Sequence, residues 1–193
     1  MPEAIAAAED RIRACIARSR VPEDRQHAES VLQWVLRLAP EADEAFQIAA
    51  LAHDIERSDE VRKVRRSDFE GYEAFKAAHA LNSARMLRGL LDECCVEQAI
   101  TEEACRLAAL HEVGGDPRSD VLKDADSISF FEVNMPLYFE REGYDDTLRR
   151  CTWGYRRLSP TTRNVCEAIA YPDPVLTRLL REAIRKAGEE SDG

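Results

Sequence analysis

The sequence predicts an all-α fold, a single helical bundle of about eight or nine helices. The 193 residues include only eight glycines and eight prolines, so residues that end helices are sparse. Between them, apolar residues recur every three or four positions, which is the helical period, and no segment alternates as a strand would. At about 150 residues per domain, the length fits one domain that can bury a core.

Proline and glycine set most of the predicted helix boundaries. Pro22 precedes the second helix and Pro40 ends it, while Gly114 and Gly115 end the fifth and Pro160 precedes the eighth. The predicted helices span residues 3–19, 23–39, 41–56, 72–94, 97–112, 119–141, 144–157, 161–170 and 174–187. The polar, basic stretch 57–66 is expected to be an irregular connection, and the C-terminal tail 188–193 is expected to be flexible.

Composition excludes several classes of function. Lys and Arg number 27 against 37 Asp and Glu, a net charge of −10, which argues against long nucleic acid as a partner. The longest apolar runs, 4–8 and 48–52, are far shorter than the roughly 20 residues of a membrane span or the about 7–15 of a signal-peptide core. The six cysteines form no C-x-x-C pair, as is typical of reduced thiols. We therefore expect a cytoplasmic protein without a membrane contact.

The third predicted helix differs from the others in being apolar on all sides. Eight of the eleven residues from 45 to 55 are apolar, which indicates a buried, central helix. Its only ionisable residues, His53 and Asp54, stand together at the C-terminal end. A buried carboxylate is unfavourable unless it is paired or binds a metal, so this pair marks a candidate site.

The other three histidines of the chain extend this candidate site. His27, His79 and His111 each fall on the core-facing stripe of a different predicted helix, and Asp126 lies on the helix that follows His111. A single core-facing histidine is usually an ordinary core residue. Imidazoles and carboxylates that converge from several helices, however, are how helical bundles build metal sites. The set as a whole predicts a metal centre.

This ordered pattern resembles the HD superfamily of metal-dependent phosphohydrolases. The pattern is a His on one helix, a His-Asp pair on a buried helix, two further histidines and a late Asp. The matching residues are His27, His53, Asp54, His79, His111 and Asp126. The resemblance covers about residues 23–140 and implies one HD-like domain over 1–193, in which helices 144–187 follow the core that carries the motif.

The resemblance also implies a role for each of these residues. The primary metal ligands that it implies are His27, His53, Asp54 and Asp126. His79 and His111 resemble the additional ligands of members with two metals, in which the Asp of the pair bridges the ions. It does not assign a subfamily or a substrate, because the third residue after Asp54, which is acidic in 5′-deoxynucleotidase-like members, is Arg57 here.

A His and Asp ligand set without thiolate suits one or two ions of Mn²⁺, Fe²⁺, Co²⁺, Ni²⁺ or Zn²⁺. Such an ion lowers the pKa of bound water from about 15.7 to about 7, which supplies a nucleophile at neutral pH. Asp54, as the bridging residue, and Glu56, as a general acid or base, are the predicted catalytic residues.

Positive side chains that could bind a substrate phosphate follow the His-Asp pair. Arg57 is nearest in sequence, and Lys123 precedes Asp126 by three residues, so both are predicted to bind substrate. The other basic residues of the same stretch, which acidic residues flank, are Arg62, Lys63, Arg65 and Arg66. Three later arginines could reach the site from a following helix, but we expect them on a solvated face: Arg156, Arg157 and Arg163.

The leading hypothesis is therefore a metal-dependent phosphohydrolase that cleaves a phosphate ester of a nucleotide or similar small molecule. Three alternatives stay open. The same six ligands resemble the di-iron oxygenases of this superfamily, such as inositol oxygenase. An HD-like domain could also bind a ligand or partner without catalysis, and the chain could be a helical bundle without metal. The sequence leaves the oligomeric state open.

Overall fold

The computed structural model describes residues 2–189, and the predicted all-α class is confirmed. Within those residues there is no strand. The α-helices are α1 (Pro2–Ile16), α2 (Asp24–Leu38), α3 (Glu44–Ala52), α4 (Tyr72–Glu93), α5 (Gln98–Leu110), α6 (Pro117–Ser129), α7 (Met135–Arg157), α8 (Arg163–Glu167) and α9 (Pro174–Glu189). Of the predicted flexible tail, Gly188 and Glu189 belong to α9, and 190–193 lie outside the described residues.

Helix α3 is central, as its composition predicts. Every residue from Ala45 to Ala52 except Gln47 is buried, and α3 packs against α1, α2 and α5. Asp43 caps the N-terminus of α3, because its side chain accepts a hydrogen bond from the Phe46 amide at 3.0 Å. Because α3 is enclosed by other helices, the residues at its C-terminal end face the interior of the bundle.

The C-terminal end of α3 is earlier than the predicted residue 56. The α-helix ends at Ala52, Asp54 leaves the helical region (φ −104°, ψ 17°), and a 3₁₀ turn spans Ile55–Ser58. The Ser58 hydroxyl closes that turn by donating to the Ile55 carbonyl at 2.7 Å. His53 and Asp54 therefore lie at a tight turn, where their side chains can point in different directions. The residues after this turn form an irregular connection up to α4, as expected.

The chain from Pro117 to Arg157 is more continuous than the two predicted helices, 119–141 and 144–157. Helix α6 passes into a π-helical segment, Phe130–Asn134, which leads directly into α7. The predicted break survives only as a kink at Gly143, whose φ of 79° lies in the left-handed region that glycine favours. π-Helical segments are rare in proteins, and those that do occur are frequently found at functional sites.

Three apolar clusters hold the helices together. One joins α1, α3, α4 and α5 and includes Ile48 and Leu87, and a second joins α2, α3 and α6 through Val31 and Leu122. The third packs the π segment and α7 against α9 and includes Phe131. All six cysteines fall in the described part of the chain and are free. Between residues 2 and 189, no helix combines the length and apolar character needed to cross a membrane.

Candidate metal centre

The four histidines converge at the middle of the bundle. His27 comes from α2, His53 follows α3, His79 lies on α4 and His111 follows α5, and all four are buried. Their rings form a chain of edge contacts, with centroids 5.1 Å apart for His27 and His53, 5.2 Å for His53 and His111, and 5.6 Å for His79 and His111. The helical packing thus brings together every imidazole of the sequence.

One group of ligand atoms, cluster A, consists of His27, His53 and Asp126. Asp126 Oδ1 lies 3.2 Å from His27 Nε2 and 3.7 Å from His53 Nε2, and the two Nε2 atoms are 3.2 Å apart. Three donor atoms within 4.8 Å of one another can hold a metal ion. The pKa of His53 is lowered to about 4 by burial, so its imidazole is neutral and suited to bind a cation.

A second group, cluster B, consists of Asp54, His79 and His111. Asp54 Oδ1 lies 2.6 Å from His79 Nε2 and 3.8 Å from His111 Nε2. The other carboxylate oxygen, Asp54 Oδ2, lies 3.8 Å from His53 Nε2 in cluster A. Burial opposes the ionisation of Asp54, yet nearby His53, Arg57 and His79 hold its pKa well below the usual value. Asp54 is therefore an anion whose two oxygens face both clusters.

Each histidine is oriented from behind by a hydrogen bond at Nδ1. The four pairs are His27 with Ser129 Oγ (2.8 Å), His53 with Ala50 O (2.8 Å), His79 with Glu56 Oε1 (2.7 Å) and His111 with Ala108 O (2.7 Å). With Nδ1 held in this way, Nε2 is the nitrogen that can bind a metal once it carries no proton, and this arrangement is typical of metal-binding histidines. All four Nε2 atoms are directed to the same interior region, as the distances above require.

Of the two predicted catalytic residues, Asp54 lies between the clusters and Glu56 lies behind a ligand. Besides accepting from His79, Glu56 accepts from the Val64 amide at 3.0 Å through Oε2. Both oxygens of this buried carboxylate are therefore engaged. Its position suits it to orient His79, and the predicted general acid or base role is less well supported by these contacts.

The two predicted substrate-binding residues have different surroundings. Arg57 Nη1 lies 2.7 Å from Asp54 Oδ2, and Nη2 lies 3.2 Å from the buried Asp24 Oδ1, so this guanidinium borders the centre. Lys123 instead donates to Asp120 Oδ1 at 2.9 Å on the first turns of α6. A cavity of about 450 Å³ opens beside the centre, and Lys123 is not among the residues that line it. The position of Lys123 therefore does not support a substrate contact.

The expectation that Arg157 lies on a solvated face is wrong. Its side chain is only 8% exposed, because α7 packs it against the centre. Nη1 lies 3.2 Å from Asp126 Oδ2, and Nη2 donates to the His111 carbonyl at 3.0 Å and lies 3.0 Å from Glu112 Oε2. Arg157 thus neutralises the carboxylate of cluster A at Oδ2, whereas the histidines of the cluster contact Oδ1.

Glu112 is a second residue that the sequence does not single out. Its buried Oε1 lies 3.1 Å from His111 Nε2 and forms an ion pair with Lys76. His111, Glu112 and Asp126 form a third group of donor atoms that could hold a metal. The adjacent His and Glu are the only signal in the sequence, because the partners of Glu112 come from α4 and α7.

A cavity of about 450 Å³ opens beside cluster B, and His79, Glu56 and Arg57 form part of its wall. Its other basic lining residues are Lys63, Arg65, Arg66, Lys76, Arg141 and Arg150. Its aromatic lining residues are Tyr72, Phe75, Phe130 and Tyr138. Of the four basic residues that follow Arg57 in the stretch 57–66, Lys63, Arg65 and Arg66 line this cavity. Arg62 instead lines a different surface groove. The cavity combines a strong positive charge with aromatic surface.

Comparison with known proteins identifies a family. A family model described as "Domain of unknown function (DUF4202)" matches residues 4–178. No curated protein and no solved structure matches the chain. The matched residues include both clusters and the cavity.

Proposed function

The chain belongs to the DUF4202 family, and we propose that it is a metal-dependent phosphohydrolase that cleaves a phosphate ester of a nucleotide or similar small molecule. The observation that carries this proposal is the position of Asp54, whose two oxygens face two His/Asp clusters beside a basic cavity. The ordered pattern of these residues resembles the HD superfamily and supports the same class of reaction.

The donor set fits a divalent transition metal. Clusters A and B offer imidazole nitrogens and carboxylate oxygens without a thiolate, which suits Mn²⁺, Fe²⁺, Co²⁺, Ni²⁺ or Zn²⁺ in one or two ions. When bound, such a metal supplies a Lewis acid that activates water and neutralises charge on a phosphate. The residues of the chain hold the donor atoms in place through the Nδ1 contacts.

The charge balance of the centre favours an anionic substrate once metal is bound. The carboxylates within the clusters, in contact with them or one ion pair away are Asp24, Asp54, Glu56, Glu112 and Asp126, and the lysine and arginine cations so placed are Arg57, Lys76 and Arg157. The excess of two negative charges attracts divalent cations into the buried site. Two such ions would convert it into an excess of two positive charges, which matches a phosphate monoester of about −1.5 to −2.

The cavity provides the means to bind and orient that substrate. Arg57 touches Asp54 and also lines the cavity, so its remaining N–H groups can bind phosphate oxygens near cluster B. The Phe75 ring lies beside His79 with centroids 6.3 Å apart and planes inclined by 30°, which places an aromatic ring next to the cluster. An aromatic base could pack on such surfaces while its phosphate faces the centre.

Metal content and phosphate release together test the proposal. Protein expressed without added metal is expected to contain at least one transition-metal ion per chain by elemental analysis. It should also release phosphate from a member of a nucleotide panel, lose this activity with a chelator and regain it with Mn²⁺ or Co²⁺. Metal-loaded protein that hydrolyses no member of the panel would contradict the proposal. Oxygen uptake by an iron-loaded sample would instead indicate the di-iron oxygenase alternative.

The contact between Glu56 and His79 leads to a further prediction. Glu56→Gln weakens the acceptor that orients His79, so metal affinity at cluster B should fall by about 10- to 100-fold. Metal titration should show that cluster A is unaffected, because its histidines are oriented by Ser129 and Ala50. Glu60→Gln is the matched control, since that glutamate only pairs with Lys63 and Arg20. Equal metal affinities for the two variants would show that Glu56 does not orient a ligand.

A further inference from the structure

Two buried side-chain oxygen atoms, each in a residue that lines the cavity, have no hydrogen-bond partner. They are Oε2 of Glu23 and Oδ1 of Asn134, in side chains that belong to residues 2% and 4% exposed. Both residues line the cavity that borders cluster B. Because buried polar atoms in folded proteins are nearly always paired, two unpaired acceptors in one cavity point to a ligand that supplies the donors.

The surrounding contacts fix the position of Glu23. Its other oxygen, Oε1, is held by Arg141 Nη2 at 3.0 Å, and the Arg141 guanidinium lies over the Tyr138 ring at 5.5 Å. Glu23 immediately precedes α2, the helix that carries His27. One oxygen of this carboxylate is thus anchored, and the other, Oε2, is the one without a partner.

The π-helical segment positions Asn134. Phe130 and Asn134 are its first and last residues, and both line the cavity. Arg150 lies over the Phe130 ring at 4.2 Å, so this part of the wall is packed as well. The same segment follows α6 directly, so Asn134 and Asp126 of cluster A lie on one continuous stretch of helix.

Side chains that only accept hydrogen bonds are few among the charged residues that line this cavity. Its other charged lining residues, apart from Glu56, are lysines and arginines, which donate hydrogen bonds and attract anions. A simple phosphate ester would satisfy the donors and leave both acceptors unpaired. A ligand that pairs with both the basic residues and the two acceptors carries a phosphate at one end and O–H or N–H donors at the other.

We propose that Glu23 and Asn134 form a specificity site that accepts hydrogen bonds from the sugar hydroxyls or the base N–H groups of a nucleoside phosphate. This inference deepens the proposed function, on which its placement of the phosphate end rests. The aromatic side chains Phe130 and Tyr138, next to the two acceptors, provide surface for the base. The site therefore selects nucleotides over phosphate esters that lack such donors.

Binding of non-hydrolysable ligands to the purified protein tests this inference without turnover. The probes are phosphonate analogues of adenosine and guanosine 5′-phosphates, the 2′,3′-dideoxy and 6-deamino forms of the adenosine analogue, and methylphosphonate. At least one nucleoside analogue should bind ten- to a hundredfold more tightly than methylphosphonate by calorimetry. Weaker binding of the dideoxy form would identify sugar hydroxyls as the donors, and weaker binding of the deamino form, or a preference between the two bases, would identify N–H groups of the base as the donors. Equal binding of all probes, or no binding at all, would overturn the inference.

A pair of matched variants tests the role of Glu23 directly. Glu23→Gln should weaken binding of the nucleoside analogues by about tenfold or more and leave methylphosphonate unchanged. Glu29→Gln is the control, because Glu29 lies on α2, the helix that follows Glu23, and also pairs with an arginine, Arg13, at 2.7 Å but does not line the cavity. Thermal unfolding of both variants confirms that they are folded, and the probe comparison on the unaltered protein needs no variant.

The outcomes separate this inference from the proposed function. If no nucleotide is hydrolysed but nucleoside binding depends on Glu23, the phosphohydrolase proposal fails and the specificity site stands. If nucleotides are hydrolysed and Glu23→Gln binds every probe as the unaltered protein does, the specificity site is wrong and the phosphohydrolase proposal stands.

Discussion

Asp54→Asn is expected to abolish turnover and to reduce the metal content of the protein. Asparagine keeps the size of the side chain but removes the negative charge between the clusters. The NH₂ group of the asparagine amide cannot accept a hydrogen bond. One of the two contacts of Asp54, with His79 Nε2 at 2.6 Å or with Arg57 Nη1 at 2.7 Å, would therefore lose its acceptor. Replacing a residue that merely orients a ligand lowers affinity or activity by about 10- to 100-fold, so loss of a shared ligand should exceed that.

Elemental analysis and phosphate release, measured on the same preparation, check this expectation. The matched control is Asp59→Asn, five residues on, where an aspartate accepts from the Val61 and Arg62 amides and does not touch the clusters. The control should retain metal and turnover. If Asp54→Asn keeps both within about threefold of the unaltered protein, Asp54 is not the shared ligand. If Asp54→Asn loses turnover but still binds nucleotide, nucleotide binding does not depend on the Asp54 charge.

Arg157→Met is expected to produce the largest loss of stability. Methionine fills much of the same volume, but it leaves the carboxylates of Glu112 and Asp126 without the cation that lies 3.0 Å and 3.2 Å from them. Removing one partner of a buried ion pair lowers the free energy of unfolding by about 3–5 kcal/mol, because an uncompensated charge remains. Glu112 keeps Lys76, so the loss falls mainly on Asp126.

Urea unfolding of chelator-treated and metal-loaded protein measures this effect in two states. A divalent cation at cluster A would compensate Asp126, so the loss should be smaller in the metal-loaded sample. Arg149→Met, on the same helix, is the control, because its ion pair with Asp146 is exposed and contributes about 0–1 kcal/mol. Arg157→Met within about 1 kcal/mol of the unaltered protein would mean that the pair contributes little. Equal losses in both states would argue against a cation at cluster A.

The fold was predictable because its signals are local. Helical periodicity and the positions of Gly and Pro are properties of neighbouring residues, so helix bounds such as those of α2 and α4 agree with the prediction within two residues. The π segment was not predictable in this way, because one extra residue within a long helix barely changes the apolar pattern. Its position depends on how Phe130 and Phe131 pack in the third apolar cluster.

The candidate site was predictable where a residue lies on an apolar face and obscure elsewhere. A histidine on a core-facing stripe is conspicuous, so all four histidines and both aspartates could be singled out, and the structure brings them together. Arg157 resembles any arginine near a helix end, and its burial depends on the angle at which α7 crosses the centre. Glu23 and Glu112 are likewise ordinary acids in sequence, whose significance comes from partners on distant helices.

The hydrogen bonds from His53 to Ala50 O and from His111 to Ala108 O have a consequence for the electrostatics of the whole centre. Both carbonyls belong to the last turns of their helices, α3 and α5, so the negative ends of two helix dipoles point towards the same region. This field comes from the backbone and persists whichever side chain is replaced. We therefore expect even variants that lack a ligand to attract cations weakly, and metal stoichiometry should be measured after dialysis against a competing chelator.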